Sequence, residues 1–270
     1  MARIYVPRRA YSQPQGRLLL SDLGMSLSPA SLLVPSGDTY CDVAAGLSVT
    51  AGSGGRVITP ARHGLARTYS AAADHLLDGG RFDPRNGYSW LLFGEFTALA
   101  TWAGFFSRTS DNGTTQGLAW QRNSSGDALS LYHGGSSAIS TGVSIAALLD
   151  GTARCLIGSW TPRGGGRAYF VNSGAGVSDF GITVAPAFTA GQGQMKIGAS
   201  RNVDGLSGRV YLAGMFPYIE LADAERLSAH PWRLFRSEPE HIYSAQINPA
   251  TQALSAASFA GRIPSVTVTY

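Results

Sequence analysis

Lysine is almost missing from this sequence: Lys196 stands alone among 21 basic residues, and the others are arginines scattered along the chain. The formal net charge of +4 therefore comes without a basic stripe or an aromatic RNA-binding motif, and argues against a nucleic-acid partner. Charge is scarce in general, at 14% of residues where about 25% is usual, while the 34 glycines are nearly twice the common share of ~7%. Glycine costs about 1 kcal/mol against alanine inside a helix, and a helical surface needs many Lys, Glu and Arg, so bundles and coiled coils are excluded. No apolar run approaches the roughly 20 residues that span a bilayer. The start, Met1-Ala2-Arg3-Ile4-Tyr5-Val6-Pro7-Arg8-Arg9, lacks the apolar stretch of a signal peptide. The expectation is a soluble protein without membrane insertion, folded in the compartment where it is made. Cys41 and Cys155 are too few for a disulfide framework. Cys155 lies in the strand-like run Ala153–Trp160 and reads as a buried free thiol, with a Cys41–Cys155 bridge as the alternative.

What is present is a β pattern, on a chain of 270 residues that suffices for one large β domain or two small ones. Residues 1–60 hold short apolar pieces such as Leu18-Leu19-Leu20 and Leu32-Leu33-Val34, broken by Pro14, Gly16, Pro29, Pro35 and Gly37. They read as an N-terminal docking arm or small subdomain, too interrupted to build its own core. Over 61–236, β-type runs recur at intervals of about ten residues between Gly, Asn, Asp and Ser clusters, the pattern of a sandwich. The predicted strands are Tyr88–Phe96, Gly104–Arg108, Gly117–Gln121, Ala128–His133, Ala153–Trp160, Arg167–Val171, Met195–Ala199 and Gly208–Tyr218. Trp90, Phe93, Phe105, Trp120, Tyr132, Trp160, Tyr169, Phe170 and Tyr211 fall inside them, and are expected to fill the space between two packed sheets. One short helix is predicted over Leu221–Ser228, with Leu221, Ala224 and Leu227 on one face and Pro231 ending it. Residues 237–270 read as a C-terminal tail whose end, Val266-Thr267-Val268-Thr269-Tyr270, alternates like a strand and needs a partner strand.

Local features then point to a family. Strand Cys155–Trp160, the turn through Gly166, and Ala168-Tyr169-Phe170-Val171-Asn172-Ser173-Gly174 resemble the W-turn-YVNG hairpin of laminin-G-like, concanavalin A-like jelly rolls. Met195–Arg201 followed by Leu206–Met215 resembles the later strands of that fold. The stretch from Tyr218 to Leu227, then Pro231-Trp232-Arg233-Leu234-Phe235, looks like an ending common in tailed-bacteriophage virion proteins, with Glu220 where Arg is usual and Ala222 where Ser is usual. The resemblance implies an all-β, concanavalin A-like antiparallel β-sandwich (jelly roll), with one short helix and extended N- and C-terminal arms. It also implies a virion structural protein, assembled in the host cytoplasm. A tail-tip, baseplate or fibre component is expected, its lectin-like domain contributing to host attachment. A capsid decoration protein and a purely carbohydrate-binding module are the alternatives.

Glucanases of that fold carry E-x-D-x-(x)-E on one strand, and retaining glycosidases need two carboxylates about 5 to 5.5 Å apart. The five glutamates are Glu95, Glu220, Glu225, Glu238 and Glu240; Glu95 has no carboxylate within three residues, and the others cluster at the helix and tail. Neither Gly-x-Ser-x-Gly nor His-Glu-x-x-His occurs, so the expectation is a non-enzyme. No cofactor is expected, with Ca²⁺ left open because Asp111 with Asn112, Asp127, and Asp204 with Asn202 could supply loop oxygens. Those residues are also ordinary turn formers. For a host surface glycan the expected carbohydrate-binding residues are Trp102, Asp111, Asn112, Asn202 and Asp204, an aromatic platform among planar amides and carboxylates. The other expected partners are virion proteins and further copies of the chain in a homo-oligomer, a trimer being the favoured form. Ordering the arms costs roughly 1 to 2 kcal/mol per residue, which a partner has to offset.

Overall fold

Alternating apolar residues between glycine turns fold this chain into antiparallel strands, and a computed structural model describes residues 29–36, 39–42, 49–51, 58–76, 83–109, 117–123, 127–134, 138–173, 176–186, 194–200 and 203–234. The strands are β1 (Ser31–Ser36), β2 (Thr39–Asp42), β3 (Val49–Ala51), β4 (Ile58–Ala61), β5 (Gly64–Ala72), β6 (Asp74–Leu76), β7 (Tyr88–Leu99), β8 (Gly104–Thr109) and β9 (Gly117–Arg122). After them come β10 (Ala128–His133), β11 (Ile139–Ser144), β12 (Ala153–Thr161), β13 (Arg167–Asn172), β14 (Gly176–Gly181), β15 (Gln194–Ile197), β16 (Ala199–Ser200), β17 (Val203–Asp204) and β18 (Leu206–Phe216). Helix α1 (Leu221–Ala229) and a 3₁₀ turn (Pro231–Leu234) close the described chain.

The first sheet runs β14-β13-β12-β7-β18-β1-β2, and β5, with β4 beside it, shares the flank of β18 with β1. β18 is long enough for both: its residues 206–210 pair with β5, and its residues 213–215 pair with β1. The second sheet runs β11-β10-β9-β8-β15-β6-β3, and β16 and β17 form a small hairpin of their own. Among the described residues this is the all-β sandwich with one short helix that the sequence predicts. Every strand predicted between residues 88 and 218 is present, within a few residues at its ends. The segment read as an arm up to residue 60 does not stand apart, however, because β1, β2 and β4 belong to the first sheet and β3 to the second. Residues 1–28 and 235–270, with the strand expected over 266–270, lie outside the described residues.

The aromatic residues divide among three places rather than one. Trp90, Phe105, Trp120, Trp160 and Phe170 lie between the sheets, with Trp90 stacked on Phe106 at 5.8 Å and edge-on to Trp120 at 5.7 Å. Phe93, Tyr169 and Tyr211 instead belong to a second apolar cluster on the outer face of the first sheet, together with Leu91, Ile157 and Val171. Ala224 and Leu227 of α1 and Leu234 of the 3₁₀ turn cover that face. Tyr132 joins neither cluster: it pairs with Ala119 on the face of the second sheet turned away from the core. The first sheet is thus buried on both sides along β7, where every side chain from Tyr88 to Phe93 is buried, and a strand buried on both faces loses its alternation.

Hydrogen bonds fasten the helix to the sheet. The Ser228 hydroxyl donates to the Cys155 carbonyl at 2.7 Å, the Tyr169 hydroxyl donates to the Ile219 carbonyl, and the Ile219 N–H donates to Ser89 Oγ at 2.8 Å. Cys155 is a buried free thiol, as its surroundings in sequence suggest, and burial pushes its pKa far up. The Cys41 side chain lies outside the described residues. Ser228→Ala leaves the Cys155 carbonyl without this donor and is expected to cost about 1 kcal/mol, read as a lower urea midpoint with an unchanged m-value.

Candidate functional site

One end of the sandwich brings together the β7–β8 turn and the β16–β17 hairpin. The turn between β7 and β8, residues 100–103, is held by the Ala103 N–H to the Ala100 carbonyl (3.0 Å) and by the Trp102 N–H to the Arg122 carbonyl (3.0 Å). Across from it, the Gly205 carbonyl at the end of the β16–β17 hairpin accepts the Ala100 N–H at 2.9 Å. Trp102 has φ +69°, and Ala71, at the end of β5, has φ +48°. These are the two non-glycine residues with positive φ among those described. Both lie close to the row formed by Ala72, Leu206 and Leu99, which pair across adjacent strands. A left-handed backbone costs a bulky side chain roughly 1–2 kcal/mol, so it persists only where the surroundings impose it, and such strain clusters at ligand sites.

The hairpin is tied down onto the second sheet. Ser107 Oγ donates to the Ala199 carbonyl and Ser200 Oγ donates to Gln121 Oε1, both at 2.7 Å. Gln121 is fully buried and its Nε2 donates to no atom among the described residues, leaving a donor in reserve beneath the hairpin. Arg122 Nη1 donates to the Leu99 carbonyl at 3.0 Å, which sets a guanidinium beside the Trp102 turn. Trp102 and Asp204, both half-buried, therefore flank the same backbone contact between residues 100 and 205.

Of the five residues expected to bind carbohydrate, the structure brings Trp102 and Asp204 to this end. Asp111, Asn112 and Asn202 lie outside the described residues. β16 and β17 on either side of Asn202 belong to the same hairpin, with Ser200 opposite Val203. Thr109, after which Asp111 and Asn112 follow, is at the far end of β8 from Trp102, some six strand residues or about 20 Å away. Sequence reasoning missed Ala71, Gln121 and Arg122, since strain and a leftover donor are set by tertiary neighbours.

Among the described residues, no three His, Cys, Asp or Glu side chains gather as a metal site requires. Asp127 accepts the Ser144 hydroxyl at 2.9 Å, a contact across the paired ends of β10 and β11. Glu95 is half-buried on the outer face of the first sheet, where Tyr211 Oη donates to Oε1 at 2.9 Å and Arg209 Nη1 to Oε2 at 3.2 Å. Burial, reinforced by that carboxylate, pushes the Tyr211 phenol up to about 12.

No protein-family model and no curated protein sequence matches the chain. Solved structures do. Domain 4 of AbnA, a GH43 extracellular arabinanase from Geobacillus stearothermophilus solved with arabinotriose, aligns at TM-score 0.57 and 15% identity over 76% of this chain and 100% of that domain. The binding domain of Paraclostridial Mosquitocidal Protein 1 aligns at TM-score 0.53 and 12% identity over 74% of this chain and 51% of its own. The binding domain of botulinum neurotoxin DC, solved with rat synaptotagmin II, aligns at TM-score 0.53 and 10% identity over 74% and 51%. The chain thus spans all of the arabinanase domain and about half of each toxin chain. At such identities the likeness shows one thing, that this protein shares their β-sandwich fold.

Proposed function

We propose that this chain is a non-catalytic carbohydrate-binding sandwich that serves as an attachment component of a bacteriophage virion, in the tail tip, baseplate or a fibre. The observation that carries the binding role is Trp102: a large, half-buried side chain held on a left-handed backbone, in a turn whose backbone hydrogen-bonds to Arg122 and to Gly205, the residue after Asp204. Such an arrangement offers a saccharide a flat apolar surface for its C–H face and charged groups for its hydroxyls. The arabinotriose bound to the arabinanase domain supports the capacity of this fold to hold a sugar chain. The virion setting rests on the resemblance of residues 218–235 to phage virion proteins.

Trp102→Gly tests the reading, because glycine relieves the left-handed strain while deleting the ring. Binding to bacterial surface polysaccharides, lipopolysaccharide included, is expected to weaken by about tenfold or more, equal to 1.4 kcal/mol, with the thermal midpoint unchanged or raised. Failure of the parent to bind any of these polysaccharides overturns the carbohydrate role. Equal binding by the variant removes Trp102 from the site. Immunogold labelling of intact phage particles checks the setting, and tails bare of label with decorated heads would refute the tail-end assignment.

A further inference from the structure

Among the described residues, β14 is the outermost strand of the first sheet, with no further strand paired to its other side. The Ile182 N–H donates to the Gly166 carbonyl at 3.1 Å, which continues the β13–β14 register by one pair. In an antiparallel ladder, residues facing the partner alternate with residues facing away. Phe180, Ser178 and Gly176 therefore turn their backbone groups toward β13, whereas Val177, Asp179 and Gly181 turn theirs off the edge. Edge strands are usually blunted by proline, lysine or a bulge. β14 has none of these and its register is unbroken, whereas β11, the neighbouring edge of the second sheet, pairs with β10 across a register shift. Val177 and Val184 are 40% and 43% exposed, and they are the large hydrophobic side chains left exposed among the described residues. Both lie on or just beyond this strand.

We propose that β14 pairs with β14 of a second copy of the chain, antiparallel about a two-fold axis at Asp179, to join two first sheets into one. Three features select a second copy and this register. Keeping both cores on the same side of the joined sheet requires that side chains of one face meet side chains of the same face, which places the axis on a residue rather than between two. Centring on Asp179 pairs Val177 with the partner's Gly181, Asp179 with the partner's Asp179 and Gly181 with the partner's Val177, so that every free backbone group of the edge is used. The Val177 side chain then covers Gly181, where an added Cβ would touch only the Gly166 carbonyl, at 3.9 Å. Charge is balanced as well: Arg167 Nη2 holds Asp179 Oδ2 at 2.5 Å in each copy, so two carboxylates and two guanidiniums meet with no net charge. A six-residue edge buries far less than the roughly 1,600 Å² of a standard interface, so the association is weak, with a dissociation constant above about 1 μM. This contact is isologous and closes at two copies. A three-fold assembly would have to form through other parts of the chain.

Sedimentation equilibrium of the full chain over a wide concentration range tests this. The parent is expected to approach a dimer as concentration rises. Val177→Lys and Val177→Pro are expected to raise the dissociation constant at least about tenfold. The proline removes an N–H that faces off the edge and spares the β13 ladder, so the thermal midpoint of Val177→Lys serves as the folding control. Asp179→Cys is expected to give a disulfide-linked dimer on mild oxidation, and Ser178→Cys, placed opposite the partner's Phe180, is not. A parent that stays monomeric, self-association untouched by Val177→Lys, or equal cross-linking through positions 178 and 179 would each overturn the proposal. A partner strand from another protein would appear as the first of these results.

Discussion

Replacing Gly208 with alanine is expected to lower the thermal midpoint by about 10 °C, the equivalent of about 3–5 kcal/mol in a chain of this size. Gly208 lies in a bulge near the start of β18, where the registers with both β5 and β7 shift. Its φ is +140°, a region closed to side-chain-bearing residues, and an added Cβ would sit 2.1 Å from the Glu95 carbonyl oxygen and 2.9 Å from Phe96 Cα. Both are backbone atoms of the strand at the centre of the first sheet, so neither can swing aside. Gly164→Ala is the comparison: φ there is +69°, yet nothing lies within 4 Å of an added Cβ, and the cost should be only the left-handed penalty of about 1 kcal/mol. Thermal unfolding followed by circular dichroism separates the two. A Gly208→Ala midpoint within 2 °C of the parent, on the order of 1 kcal/mol or less, would contradict the packing argument.

Acid is expected to destabilise the protein through His133 between pH 6.5 and about 4, by about 3 kcal/mol in all. A chain of polar groups crosses the interior here: Trp120 Nε1 donates to Tyr88 Oη at 3.2 Å, and Tyr88 Oη lies 2.9 Å from His133 Nε2. His133 Nδ1 faces the Val184 carbonyl at 2.6 Å, which fixes the proton on Nδ1 and leaves Nε2 to accept from the tyrosine. Burial pushes the imidazole down to about 4, only partly opposed by the Val184 carbonyl. The unfolded chain therefore takes up the proton first, near pH 6.5. The stabilisation is complete above that value and is lost as pH falls toward 4. Urea midpoints at pH 7 and pH 4.5 for the parent and His133→Gln measure it. The variant is expected to be weaker at pH 7 but to show a smaller difference between the two pH values. Equal slopes would place the acid sensitivity elsewhere.

β7 to β10, β12, β13, β15 and β18 were legible in the sequence because each is a local event, a β-type run closed by Gly, Asn or Asp turns, and the same held for α1 with its Leu221, Ala224 and Leu227 stripe, whereas the sequence predicts no strand at β11, β14 or β17. β1 to β6 were not legible. All but β5 are six residues or fewer, Pro and Gly interrupt the segment, and β1 and β5 find their place in the sheet through a distant strand: Leu33 pairs with Ala213, and Arg67 with Val210. The uninterrupted run Trp90-Leu91-Leu92-Phe93 carried the signal that a second layer covers the first sheet, and α1 supplies that layer.

At the candidate site the sequence placed Trp102 and Asp204 in turns, since turn chemistry is local, but proximity between residues 100 and 205 is a property of the closed sandwich. By itself the sequence determined the fold class, the helix and the buried Cys155, because glycine spacing, side-chain alternation and apolar surroundings act over a few residues. Only the tertiary structure decided which aromatics share a core, where backbone strain accumulates and which of the described strands ends each sheet. Those depend on pairings between strands a hundred or more residues apart, whose cost in chain entropy is met only when the whole sandwich forms.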